Sequence, residues 1–210
     1  MNEQITVFGA NGRVGRRVVA EALKRGYKVV AFVHDKTNLI ESDQLKVVHG
    51  DIYKPEDVDL ALAGSTAAVS ALGSWGTPKK DILTVGMTNI IPAMRRRRIS
   101  SIISLTGADA RAPGDHLGFI HRVTHFFLLF AIRGILVDGE KHIDLLERSG
   151  LDWTVIRSPV MVANDKTAER YSLGMKRPMP WRTVAYQSVA LAMVNAIQDR
   201  TWGCRAPYIK

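Results

Sequence analysis

The sequence predicts an α/β fold with a doubly wound, mostly parallel sheet, in a single domain covering residues 1–210. Three observations predict it. A short β-rich apolar run, Ile5 to Phe8, enters a turn spaced G-x-x-G-x-x-G at Gly9, Gly12 and Gly15, and a helical pattern follows at once. Strand-like and helix-like segments then alternate along the chain, the order that winds a parallel sheet through right-handed crossovers. The run Val29 to Val33 is apolar at every position, as a parallel strand covered on both faces should be.

The elements follow in order. The first strand, Ile5 to Phe8, leads to a helix from Arg13 to Arg25, in which Val14, Val18, Val19, Ala22 and Leu23 recur with helical period. Gly26 is its expected C-terminal stop. A second strand covers Lys28 to Val33 and a third Leu45 to Val48. After Asp51 and Ile52, a short helix from Glu56 to Ala63 starts at Pro55. A fourth strand spans Ala67 to Leu72, and the turn-rich segment Gly73 to Pro78 follows it. A helix from Lys80 to Met94 precedes the strand Ile99 to Leu105 and an irregular stretch from Thr106 to Phe119. A long helical region, His121 to Ser149, is expected to break at Gly134 or Gly139 and to end at Gly150. The strand Trp153 to Ile156 comes next, then a lid-like segment over about 161–182. The helix Val184 to Ile197 and a poorly defined C-terminal strand or coil complete the chain.

Composition sets the outer bounds. A chain of 210 residues suits one well-buried α/β domain and is short for two. One cysteine, Cys204, excludes an internal disulfide framework and suits a reducing compartment, and the start shows no secretion leader. A cytoplasmic protein is the resulting expectation. The apolar run Phe126 to Ile132 is far shorter than the roughly 20 residues that cross a bilayer, so it is expected to be a buried helix face, with no membrane partner. The net charge of +9 collects in Arg95 to Arg98, in Arg13, Arg16 and Arg17, and near Lys176 and Arg177. The four consecutive arginines stand where a helix should end, which its dipole favours for cations. Nucleic acid is therefore not an expected partner.

The glycine turn is where the chain points to a ligand. Gly9 permits the tight turn, Gly12 lets backbone amides approach a pyrophosphate, and Gly15 removes a side chain where helix meets sheet. The helix start adds donors and a favourable dipole. This is a dinucleotide-binding hypothesis, and it makes the fold Rossmann-like and NAD(P)-binding. The ribose should meet the end of the second strand, Val33-His34-Asp35-Lys36. Asp35 alone would favour the 2′-hydroxyl of NAD, but His34, Lys36 and Arg13 can close around the 2′-phosphate of NADP. NADP is expected, and NAD is the less favoured cofactor. Asp51 and Ile52 reach either the adenine edge or the following turn, which Asp51 would cap. Ala71, Leu72 and Gly73 pass close to the cofactor, and Thr106 and Gly107 lie near the expected nicotinamide. No metal set is expected. His116, His121 and His125 are loosely grouped, and only the last two share a helical face, without the acid of H-E-x-x-H.

With those residues in hand, the chain resembles the atypical short-chain dehydrogenase/reductase group, in particular the NmrA-like and biliverdin-reductase-B or flavin-reductase-like proteins. The resemblance rests on VFGANGRVGRRVVAEALKRGYKVVAFVHD, VVHGDI, AAVSALGS and LLERSGLDWTVIRSP. It implies that Gly9, Asn11, Gly12, Arg13, Val14, His34, Asp51, Ile52, Leu72, Gly73 and Thr106 line an NADP site, with Ser158, Pro159 and Val160 toward the nicotinamide. Ordinary short-chain reductases use a Tyr-x-x-x-Lys pair. Here Val137 stands four residues before Lys141, and neither Tyr171 nor Tyr186 is followed by Lys at that spacing. In the flavin-reductase-like relatives, a serine and a histidine assist hydride transfer, and Gly107 and Val160 stand at those places. Thr106 is left as the one candidate catalytic group.

The expected function is then an NADPH-dependent oxidoreductase that passes hydride directly to a flavin, quinone or similar aromatic acceptor. Trp75, Phe119 or Trp181 either flank that acceptor or pack loops. The alternative implied by the resemblance is a non-catalytic NmrA-like redox sensor that binds NADP(H) and acts through a protein partner. A monomer or weak homodimer is expected in either case.

Overall fold

The computed structural model describes residues 3–75, 77–115, 118–163 and 170–210, apart from the side chains of His121 and Leu129. Gly76 of the turn-rich segment, His116 and residues 164–169 of the lid-like segment lie outside the described residues.

The first half alternates as the sequence implies: β1 (Gln4–Phe8), α1 (Gly15–Lys24), β2 (Lys28–Val33), β3 (Leu45–His49), α2 (Pro55–Ala61), β4 (Ala67–Ser70) and α3 (Ile82–Arg96). The second half continues with β5 (Ser101–Gly107), α4 (Phe119–Ala131), α5 (Arg133–Glu147), β6 (Asp152–Ser158), β7 (Val160–Val162), β8 (Leu173–Gly174), β9 (Thr183–Ala185), α6 (Tyr186–Asn195) and β10 (Tyr208–Ile209). Eight strands form one sheet in the order β3-β2-β1-β4-β5-β6-β10-β8, parallel except where β8 meets β10. The strand order reverses between β1 and β4, which opens a crevice at the carboxyl ends of those strands. The expected fold class is the observed one, with the sheet mixed at its β8 edge.

Each face of the sheet has its own core. Along β1, Ile5 and Val7 join Val18, Val19 and Ala22 of α1 and Val189, Ala190 and Met193 of α6. Phe8, one residue on, turns to the other face with Val58 of α2, Met87 and Ile90 of α3, and Ile143 and Leu146 of α5. Strand alternation therefore distributes one apolar run between two helix layers.

Some boundaries differ from the pattern in the sequence. The long helical region breaks at Ile132, whose φ of −138° leaves the helical range, rather than at Gly134 or Gly139. Gly139 stays helical because its missing side chain lets α5 approach β5 (a Cβ there would lie 2.6 Å from Thr106 Oγ1). Gly150, at φ +67°, ends the region as expected. The end of the chain is not coil: β10 lies parallel to β6, with Tyr208 opposite Arg157. The lid-like segment is framed by a small two-stranded sheet of β7 and β9. The consecutive arginines do end α3, where Arg96 and Arg97 pair with Asp59 at 3.1 and 2.6 Å and Arg95 donates to the Ser149 carbonyl.

One expectation is overturned. The run Phe126 to Ile132 is not a buried face: Phe126, Phe127 and Phe130 are 57%, 65% and 78% exposed. The helical period is real, but the stripe it creates faces outward, and α4 turns His125 inward instead.

Candidate functional site

The site is built from the carboxyl ends of β1 to β6. At its centre, Gly9 adopts φ +72°, and a Cβ on it would come within 2.8 Å of the Ala71 carbonyl oxygen. A Cβ on Gly15 would meet the Gly9 carbonyl oxygen at 2.1 Å. The Gly12 amide donates to that same carbonyl at 3.0 Å. These contacts pull the turn onto the end of β4 and bring the start of α1 to the crevice. Among the described residues, the amides of Asn11, Arg13 and Val14 meet no backbone acceptor, as a cradle for an anion requires. Val14 is buried and anchors the turn from below. These features fit the pyrophosphate of a dinucleotide.

Two side chains fix the neighbouring loops. Asn11 Nδ2 donates to the Lys36 carbonyl at 3.0 Å, and its Oδ1 accepts from Thr37 Oγ1 at 3.2 Å. The residues after β2 are thereby tied to the glycine turn, and His34, Asp35 and Lys36 are all exposed. His34 Nδ1 lies 3.4 Å from the Gly50 carbonyl, which links the ends of β2 and β3. Asn89 of α3 donates to the Ile52 carbonyl at 2.8 Å and holds the loop after β3. Asn89 and Thr37 were not singled out from the sequence, since nothing local marks a side chain whose partner lies tens of residues away.

One sequence-based placement, that of Arg13, needs correction, and of the two left open for Asp51 the turn cap is the one observed. Arg13 does not close with Lys36. Its Nη1 donates to Tyr186 Oη at 2.9 Å, and both Arg13 and Arg17 lie over that tyrosine ring, at 5.8 and 5.5 Å from its centre. The reason is packing: α1 and α6 share one face of the sheet, so residues at the start of α1 reach α6. Arg13, Arg17, Tyr186 and Met161 to Ala163 line a cleft of about 340 Å³. Asp51, for its part, caps its own turn: Oδ1 accepts the Tyr53 amide at 3.0 Å, while the Asp51 amide donates to Asp57 at 2.9 Å. Its carboxylate serves the turn rather than standing free toward an adenine.

The other end of the crevice is shaped by α5. Ala71, Leu72 and Gly73 follow β4, with Leu72 buried against Gly86 of α3, where a Cβ would lie 2.8 Å from Leu72 Cδ1. Ser74 Oγ donates to Asp138 Oδ2 at 2.5 Å, and that buried carboxylate also accepts the Leu83 and Thr84 amides at 3.1 and 2.8 Å. One turn along α5, His142 is fully buried and its Nε2 lies 2.7 Å from Ser104 Oγ. Burial holds the imidazole at a pKa of about 4, against a smaller upward pull from Asp138, so it is neutral at physiological pH. Thr106 is buried at the end of β5 and faces Gly139, so the α5 position beside its hydroxyl offers no proton donor. Lys141 is exposed, away from this face.

Ion pairs pin the loop after β5. Arg157 of β6 is fully buried; it pairs with Asp115, donates to the Ala206 carbonyl at 2.7 Å and lies 3.8 Å over the Tyr208 ring. Asp109 pairs with Arg177, and Arg111 with Glu140 at 3.2 Å. The sequence held one signal for this: Arg157 interrupts an apolar strand, and a buried cation needs a carboxylate. Ser158 spends its hydroxyl on the Pro159 carbonyl at 3.0 Å, and Val160 is exposed at the start of β7. Trp75, Phe119 and Trp181 are 70%, 82% and 70% exposed, so they do not pack loops. Among the described residues, no group of three or more His, Cys, Asp or Glu is placed to hold a metal ion.

Comparison with known proteins agrees with this fold. Residues 9–200 match the model of the NAD(P)H-binding family. An uncharacterised chloroplastic protein of Arabidopsis thaliana is 26% identical over 175 residues, covering 78% of this chain and 60% of that protein. The photosystem II assembly factor Ycf39 of Synechocystis is 25% identical over 217 residues, covering 95% of this chain and 64% of the factor. The chain thus spans less than two thirds of either relative. A Veillonella parvula short-chain dehydrogenase/reductase in complex with NADP superposes with a TM-score of 0.80 at 16% identity, covering 100% of this chain and 94% of that one, and shows the fold. The expected cytoplasmic location is overturned, since the Arabidopsis relative is chloroplastic; a reducing compartment and one cysteine do not distinguish the two.

Proposed function

The chain belongs to the NAD(P)H-binding family, as an NmrA-like and flavin-reductase-like member of the atypical short-chain dehydrogenase/reductases, and on that premise we propose that it is an NADP(H)-binding redox sensor acting through a protein partner. The observation that carries this reading is the pairing of a glycine turn that admits no side chain with an α5 position beside Thr106 that, among the described residues, offers no proton donor. Gly15 and Gly9 admit no side chain, whereas the α5 residue against Thr106 Oγ1 is itself a glycine, Gly139. That the related Ycf39 is an assembly factor supports a role in which binding, rather than turnover, is the output.

In this reading, Gly9, Asn11, Gly12, Arg13, Val14 and Gly15 hold the pyrophosphate, and the exposed His34 and Lys36 receive the 2′-phosphate. Ile52 and the Asp51 turn bound the adenine. Ala71, Leu72, Gly73, Ser158, Pro159 and Val160 bound the nicotinamide end. A bound nicotinamide would supply a hydride equivalent. Asp138 fixes the β4 loop and the start of α3 beside it, so a redox-dependent shift at that end is passed to α3 and α5.

Titration with NADPH and NADP+, followed by capture of partners in each state, tests the proposal. A partner whose affinity differs between the two states is expected. A second reading, hydride transfer to a flavin or quinone acceptor, is supported by the presence of a hydroxyl, that of Thr106, near the end of β5. Steady NADPH oxidation with FMN, riboflavin or quinones would displace the sensor reading in its favour.

A further inference from the structure

The outward stripe of α4 has no function in the dinucleotide site. Phe119, Val123, Phe126 and Phe130 recur along one side of the helix, with Ile120 and Phe127 beside them, and all six are exposed. Phe126 meets Phe127 and Phe130 edge to face, with ring centres 5.9 and 5.1 Å apart, so the rings form one continuous apolar surface. Arg122 on the helix and Arg133 just past its end are exposed, and neither has an ion-pair partner among the described residues. Trp75 is exposed on a loop that Ser74 ties to α5.

We propose that α4 is a peripheral membrane contact, whose phenylalanine face enters the headgroup boundary of an anionic bilayer while Arg122 and Arg133 meet lipid phosphates. The stripe carries no side-chain donor or acceptor, whereas a typical protein interface joins its apolar core to about ten direct hydrogen bonds. Aromatic residues with flanking cations are what the bilayer interface accepts. A second copy of the chain fits poorly. The helix contains no Asp or Glu, so two α4 faces in contact would set arginine against arginine with no acid of α4 to offset them. At 13 residues the helix is about 20 Å long, and no helix among the described residues is long and apolar enough to cross a membrane, so α4 lies flat. The protein's net charge of +9 adds long-range attraction to an anionic surface. This goes against the expectation of no membrane partner and does not depend on the sensor reading.

Flotation of the whole chain with vesicles tests it, using phosphatidylcholine alone and equal parts of phosphatidylcholine and phosphatidylglycerol. Binding to the mixed vesicles, weakened by salt, is expected. Phe126→Glu with Phe130→Glu should abolish it and leave NADPH affinity unchanged, which shows that the variant is folded. Arg122→Gln with Arg133→Gln should lower partitioning roughly thirtyfold. Failure of the chain to float with the mixed vesicles at low salt overturns the proposal, as does equal flotation of the Phe→Glu variant. A dimer that dissociates in that variant, with no vesicle binding by the parent chain, would instead make α4 an interface between two copies.

Discussion

Asp138 and Thr84 lie on different helices, yet the carboxylate of the first accepts the amide of the second at 2.8 Å and its hydroxyl at 2.7 Å. The residue at the N-cap of α3, Asp81, makes no capping bond, so α5 caps α3 in its place. Replacing Asp138 by Ala should therefore cost about 3 kcal/mol, more than an ordinary surface cap, because the Leu83 and Thr84 amides and Ser74 lose a charged acceptor together. Urea denaturation would measure it, and Asp138→Asn should lose about half as much. An unchanged midpoint for Asp138→Ala would rule out this cap as a stabilising contact.

The glycine turn gives the sharpest binding prediction. Gly15→Ala places a methyl 2.1 Å from the Gly9 carbonyl oxygen, so the turn must open. NADPH affinity should fall at least about tenfold, while the rest of the sheet stays folded by circular dichroism. Fluorescence titration with NADPH is the check.

His142 predicts a pH dependence. Its folded pKa is about 4, below the 6.5 of an exposed histidine, so the unfolded chain binds its proton first. Stability is thus unaffected above about pH 7, falls as pH drops through about 6.5, and stops falling from this source near pH 4. The full loss is about 3 kcal/mol. Urea midpoints over that range should decline less steeply for His142→Leu than for the parent chain, and parallel curves would remove His142 as the cause.

Arg157 and Asp115 form a buried pair, and breaking one side should cost more than removing both. Arg157→Ala leaves the Asp115 carboxylate with its guanidinium gone and should destabilise by about 3–5 kcal/mol. Arg157→Met combined with Asp115→Leu should recover most of that loss. A double variant no more stable than the single one would show that the pair's geometry, rather than charge compensation, is what matters.

The contrast between the glycine turn and α4 explains what could be read in the sequence. Gly9, Gly12 and Gly15 act within seven residues of one another, so their spacing alone announces the turn. Val29 to Val33 likewise announces a covered strand. The period of Phe119, Val123, Phe126 and Phe130 announces a stripe equally well, but whether anything covers it depends on residues far away. The same distance hid the Asp138 cap and the Arg157–Asp115 pair, whose partners stand 54 and 42 positions apart. It also misdirected Arg13, whose partner Tyr186 is 173 positions on. Local geometry was legible, and pairings set by packing were not.

The two hydrogen bonds of Asn11 carry a consequence for engineering. Because Asn11 grips the Lys36 carbonyl and the Thr37 hydroxyl, the glycine turn is tied directly to the residues after β2, to which the proposed function gives the 2′-phosphate. Transplanting residues 34–36 from an NAD-selective protein would change the charges yet leave their scaffold mismatched. A graft that redirects cofactor choice has to carry position 37 and respect Asn11 as well.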